Sequence, residues 1–188
     1  MKTNKFEERG YKLIDLNLGY EDLIVKTFEG GVRLLNIQPG GDPYVSPAPL
    51  EIGMEILTSI VHRDNTTPIV EKEIGLNLIP TYCYVRKYFQ GSTLPLHTDR
   101  DACEISLSYC ISGPEWEFNI EEENAITLIT KKGNGIIYKG CEVKHGRRYP
   151  SSGEILQVFN HWVISDGTKS NSAYDNGAYE EFYSTVEL

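Results

Sequence analysis

The chain has 188 residues, 40% of them hydrophobic, and a formal charge of −9 from 18 basic and 27 acidic residues. That size fits one ordinary core, and the acidic balance favours solubility and argues against nucleic acid as a partner, since backbone phosphates need a basic surface. No stretch approaches the roughly 20 apolar residues of a membrane-spanning helix, and the first residues run into charges rather than an apolar signal core, so the expectation is a soluble, cytoplasmic protein. The sequence carries no sign of oligomeric state.

Residues 1–75 read as support for a core that follows. Short apolar runs, Tyr11 to Leu18 and Val32 to Ile37, are broken by Gly30-Gly31, Gly40-Gly41 and the prolines Pro39, Pro43, Pro47 and Pro49, which suggests short strands and loops. From Leu50 to His62 the apolar residues Leu50, Met54, Leu57 and Val61 recur every three or four positions, which predicts an amphipathic helix ended by Asp64-Asn65-Thr66-Thr67-Pro68.

Over 76–164 the pattern changes to strands: Thr81 to Phe89, Glu104 to Ile111, Thr127 to Thr130, Gly135 to Tyr138 and Glu154 to Ile164. Several short strands with little room for helices between them predict a mainly β fold, an antiparallel sandwich or jelly roll. Trp116, among Glu115, Glu117 and Glu121 to Glu123, reads as part of an exposed acidic hairpin. Residues 165–188 are polar and read as an extended cover or disordered end. Cys83, Cys103, Cys110 and Cys141 form no CxxC pair, so they read as reduced thiols, mostly buried.

The informative group is His97-Thr98-Asp99 with His145 further on. Side chains two apart on a strand share a face. A later strand can bring His145 to that face and complete a site of two imidazoles and one carboxylate, a facial set that suits Fe(II) and leaves positions open. HxD alone is weak, and a surface turn explains it as well.

On the strand before it, Tyr82, Tyr84, Arg86 and Tyr88 share a face. That row is either solvent-facing or the lining of a polar pocket for an anion. His161 reads as an interior histidine or a group on the substrate side. His62 reads as structural, and Arg100 as a neighbour that orients Asp99 or meets substrate.

The run Tyr88-xx-Gly91-xxxxx-His97-x-Asp99, followed by Gly133-Asn134-Gly135-Ile-Ile-Tyr138 and Cys141-Glu-Val-Lys-His145, resembles the catalytic core of the 2-oxoglutarate and Fe(II)-dependent oxygenases, closest to the prolyl-4-hydroxylase-like branch. The resemblance spans roughly residues 78–163. It implies a double-stranded β-helix with iron held by His97, Asp99 and His145, and Tyr88 on a carboxylate of 2-oxoglutarate. It also implies O2 as co-reactant and hydroxylation of an unactivated C–H, first of a prolyl or other amino-acid side chain in a peptide or protein. A free amino acid or small metabolite is the alternative.

The family places a basic residue about ten positions after the distal histidine for the far carboxylate of 2-oxoglutarate. Here that position falls near Ile155. A dianion in a partly dry pocket needs a cation. Arg86 is the first candidate, Arg147 the second and Arg148 the third, with Gln157 able to add a neutral hydrogen bond. If Ile155 points inward, Gln157, Phe159 and His161 do too. A cupin fits poorly, lacking the glutamate and second histidine of its first motif, and a non-enzymatic jelly-roll module remains the other reading.

Overall fold

Ten strands fold into two antiparallel sheets in the structure, a computed structural model that describes residues 5–53, 57–121 and 125–174. In chain order the strands are β1 (Tyr11–Asp15), β2 (Leu50–Ile52), β3 (Leu78–Tyr88), β4 (Leu94–His97), β5 (Ile105–Ser112), β6 (Trp116–Ile120), β7 (Ile126–Thr130), β8 (Asn134–Tyr138), β9 (His145–Arg147) and β10 (Ile155–Ile164). The larger sheet runs β1-β8-β5-β10-β3-β2 and the smaller β4-β9-β6-β7. The helices are α1 (Lys5–Arg9), α2 (Glu21–Leu34) and α3 (Leu57–Ile74). This is the jelly roll that the strand pattern predicted.

Alternation on the central strands sets the architecture. Leu156, Val158 and Trp162 of β10 face outward into a core with Ile24 and Phe28 of α2 and Val70 and Ile74 of α3. Ile155 and Phe159 face inward, beside Tyr88. β10 is thus buried on both faces, and its inner face belongs to the gap between the sheets.

The N-terminal half departs from the sequence reading. Residues 50–52 form β2, paired with β3, and the helix lies later, through Pro68 to Ile74. Residues 54–56, and the side chains of 54–62 with His62 among them, lie outside what is described. The proline ends nothing because tertiary bonds hold the turn around it. Thr66 and Thr67 donate to the Arg63 carbonyl at 3.0 and 2.9 Å, and their hydroxyls accept from Asn160 and Trp162 of β10 at 3.3 and 2.8 Å. Context here outweighs the cost of an interior proline.

Val32 to Ile37 is not a strand either. Val32 continues the α2 stripe of Ile24 and Phe28 at a spacing of four, through Gly30-Gly31, which read as breakers. Trp116–Ile120 does pair as β6 with β7, but Trp116 is buried and donates from Nε1 to the Tyr149 carbonyl at 2.8 Å; residues 122–124 lie outside what is described. Beyond β10, Ser170–Tyr174 form a short 3-10 turn, and the expectation for 175–188 lies outside the described residues. No helix of the described residues is long and apolar enough to cross a membrane.

Candidate active site

The pairing of β4 with β9 sets His97 directly opposite His145. The two strands approach closely because Gly146 separates His145 from Arg147: a Cβ there would stand 2.7 Å from the carbonyl oxygens of Leu94 and Pro95. Asp99 follows β4, and its N–H donates to the Gly140 carbonyl at 2.8 Å. Gly140 is required in turn, since its Cβ would fall 2.5 Å from Asp99 Oδ2.

The three side chains converge. Asp99 Oδ1 lies 3.4 Å from His97 Nε2 and 3.7 Å from His145 Nε2. Their ligand atoms all lie within 4.8 Å of one another. His97 Nδ1 is 3.0 Å from the Pro95 carbonyl and His145 Nδ1 is 2.8 Å from the Val143 carbonyl. A carbonyl only accepts, so both Nδ1 atoms carry the proton, and each Nε2 of a neutral ring turns a lone pair toward the carboxylate.

Three lone-pair donors facing one another repel unless a cation lies among them. The titration of the three groups follows from this. Once protonated at Nε2, His97 can donate to Asp99, and that bond raises its pKa. Burial pushes Asp99 up, but the His97 bond and the charges of His145 and His161 outweigh it and hold the carboxyl below its usual range. Burial lowers His145 against the pull of Asp99, so the two imidazoles on one carboxylate shift in opposite directions because one is half-exposed and the other buried.

Phe118 stacks on His145 at 5.5 Å and Tyr138 packs against it at 4.3 Å, fixing the ring. Behind Asp99, Ser106 Oγ lies 3.3 Å from Asp99 Oδ2 and 2.9 Å from His161 Nδ1. Sequence reasoning missed Ser106 and Ser108, although alternation on β5 places both with Cys110 on the inner face.

A cavity of about 840 Å³ opens from the cluster between the sheets. Tyr82, Tyr84, Arg86 and Tyr88 all line it, so the row read from β3 is the pocket alternative and not the solvent-facing one. Tyr82, Tyr84, Phe159 and His161 form a wall of rings, with Tyr82–Tyr84 and Tyr84–Phe159 centroids 6.1 and 4.9 Å apart.

The candidate cations differ. Arg86 is held by Glu51 Oε2 at 2.6 Å and Asp42 Oδ2 at 3.2 Å, and donates to Tyr88 Oη at 3.2 Å. Arg147 is buried on β9 over Trp116 and Phe118, with its Nη1 donating to the carbonyls of Trp116 and Glu117 and to Thr130 Oγ1. Its Nη2 is buried with no hydrogen-bond partner among the described residues. Burial pushes Arg147 down to about 10.

Arg148 is exposed. Gln157 lies between Arg86 and Cys110 on the inner face, accepting from Ser108 at 3.3 Å, with a buried unpartnered Nε2. Ile155 stands opposite Tyr88, fully buried and apolar. Arg100 lies over the Tyr82 ring at 4.8 Å and donates from Nε to Tyr82 Oη at 3.5 Å. All four cysteines are free, and Cys141 alone is not fully buried.

No family model matches the chain, and no curated protein matches it in sequence. Solved structures do match. A prolyl-4-hydroxylase from Pseudomonas putida superposes with a TM-score of 0.67 at 12% identity, covering 85% of this chain and 95% of that one. A prolyl hydroxylase from Trichoplax adhaerens, bound to a fragment of hypoxia inducible factor, gives 0.67 at 12% identity over 89% of each chain. HygX from Streptomyces hygroscopicus, with nickel, 2-oxoglutarate and hygromycin B, gives 0.63 at 12% identity over 90% of this chain and 89% of that one. The chain has the fold of the 2-oxoglutarate and Fe(II)-dependent oxygenases. At these identities the likeness speaks for architecture, and the chemistry is argued from the residues.

Proposed function

We propose that this protein is an Fe(II)- and 2-oxoglutarate-dependent dioxygenase that hydroxylates an unactivated C–H, first of a prolyl or other amino-acid side chain in a peptide or protein. The observation that carries the reading is the convergence of His97 Nε2, His145 Nε2 and one oxygen of Asp99, with both Nδ1 atoms committed to carbonyls. Two neutral imidazoles and a carboxylate are a fitting donor set for Fe(II), and a facial set leaves room for a chelating co-substrate. The bonds at Nδ1 fix ring orientation and tautomer, as the outer partners of metal-binding histidines do.

When bound, the metal supplies the oxidation: 2-oxoglutarate, O2 and R–H give succinate, CO2 and R–OH. The chain's own part is to place the groups. Arg147 is the better partner for the far carboxylate. Arg86 already faces two carboxylates, whereas Arg147, which lines the cavity, faces none among the described residues and has a buried Nη2 without a partner there. A buried guanidinium that lacks a counter-ion is costly, and a carboxylate arriving there offsets that cost with a charge-assisted bond. Tyr88 Oη and Gln157 Nε2 can add bonds from the opposite sheet. The apolar Ile155 at the family's usual basic position is thus answered from β9.

Both kinds of substrate occur among the structural relatives, a peptide fragment in the Trichoplax protein and hygromycin B in HygX. The test is succinate release with Fe(II), 2-oxoglutarate and a panel of peptides, amino acids and metabolites, read by a mass gain of one oxygen. Asp99→Ala should release none. Wild-type turnover in that variant, or no succinate from the native protein, would overturn the reading.

A further inference from the structure

Among the described residues, His161 is the one cavity-lining histidine outside the cluster of His97, Asp99 and His145. Its Nδ1 meets Ser106 Oγ at 2.9 Å, while its Nε2 is buried and has no hydrogen-bond partner among the described residues. A buried nitrogen left unpaired has lost its hydration without replacement and is destabilising. Native proteins keep such atoms where a partner arrives.

Which partner follows from proton bookkeeping around Ser106. A serine hydroxyl has one proton to give. Its possible acceptors are Asp99 Oδ2 at 3.3 Å, the Cys103 carbonyl at 3.3 Å, His161 Nδ1 and the Tyr138 hydroxyl. A charged acceptor makes the stronger bond, and giving the proton to His161 would leave Asp99 Oδ2 without it. The proton therefore goes to Asp99. The short contact to His161 must then run the other way, with Nδ1–H donating to Ser106 Oγ. A neutral imidazole protonated at Nδ1 is unprotonated at Nε2.

We propose that His161 Nε2 is a hydrogen-bond acceptor for the substrate, so that this site selects molecules carrying an N–H or O–H donor beside a flat or apolar skeleton. This rests on the oxygenase reading for which molecule arrives, not for the acceptor itself. The second half of the requirement comes from the ring wall. Tyr82 lies 4.6 Å and Tyr84 5.8 Å from the His161 ring, and Phe159 continues the stack from Tyr84. Such a surface takes up flat or apolar groups by burial and ring stacking. The same relay, His161 to Ser106 to Asp99 Oδ2, holds the carboxylate with Oδ1 toward the two Nε2 atoms.

The experiment uses the full chain, labelled with 15N-histidine and loaded with Zn(II) and 2-oxoglutarate. Long-range 1H–15N correlations give each tautomer, and His161→Leu identifies the His161 signals. Nδ1 should be protonated and Nε2 not. Benzamide, which presents N–H donors, should move the Nε2 resonance to lower 15N shift, while methyl benzoate, a flat ring without a donor, should not. A protonated Nε2, or a resonance that both probes or neither probe move, overturns the proposal. Ser106→Ala should abolish the single-tautomer signature of His161. Because none of these signals needs turnover, the expected pattern in a protein that releases no succinate would contradict the oxygenase reading and leave the acceptor standing.

Discussion

The two ends of the cavity are built on opposite plans. At the His97 and Asp99 end, the polar atoms that orient the cluster are bonded to other protein groups: both Nδ1 atoms to carbonyls, the Asp99 amide to Gly140, and Oδ2 to Ser106. At the Arg147 end a guanidinium is sunk among Trp116, Phe118 and Thr130, and its Nη2 has no hydrogen-bond partner among the described residues. The first end is held in shape in advance, as metal affinity and ligand geometry require. The second end carries an unmet charge, and it suits a ligand that brings the missing one.

The largest break in that comparison is Asp99→Ala. Removing one of three ligands should abolish Fe(II) binding and succinate release together, and metal analysis of the purified variant checks it. Next is Arg147→Met. Losing a charge-assisted bond worth about 1.5–3 kcal/mol should raise the 2-oxoglutarate requirement by roughly 10- to 150-fold. The same change should leave stability near wild type, because it removes a buried unpaired cation.

Arg86→Met should do the reverse. It strands Glu51 and Asp42 and should cost on the order of 3 kcal/mol in denaturant unfolding, with a smaller effect on the 2-oxoglutarate requirement. If the two variants exchange these effects, the assignment of the far carboxylate moves to Arg86.

Acid sensitivity sharpens the metal end. Burial pushes His161 down to about 4 from an ordinary 6.5. A base that resists protonation when folded contributes stability that is complete above its unfolded pKa and is lost as pH falls through the folded value. Between pH 6.5 and 4 this should remove about 3 kcal/mol, and unfolding of His161→Leu should lack that component. The smallest effect belongs to exposed Arg148: Arg148→Ala should leave the 2-oxoglutarate requirement unchanged.

The contrast between the ends also separates what could be read in the chain from what could not. The convergence of His97, Asp99 and His145 was legible because they sit in motifs of fixed spacing, and the strands around them alternate plainly. Ile155, Gln157, Phe159 and His161 fell inward as alternation on β10 required. That Arg86 is already paired was not legible, because its partners come from β2 and the loop at Asp42, 35 and 44 residues earlier, and no local pattern announces that pairing. The helix through Pro68 and the continuation of α2 across Gly30-Gly31 were hidden for a related reason: packing against β10 and the core outweighed local breakers.

The most direct test of the central claim is an anaerobic titration of 2-oxoglutarate into the Fe(II)-loaded protein, followed by the visible charge-transfer absorption of an Fe(II) 2-oxo acid chelate. The account predicts a saturable band at one equivalent in the native protein, its absence in Asp99→Ala, and a midpoint shifted at least tenfold, about 1.4 kcal/mol, in Arg147→Met. No band in the native protein, or an undiminished band in Asp99→Ala, would contradict it.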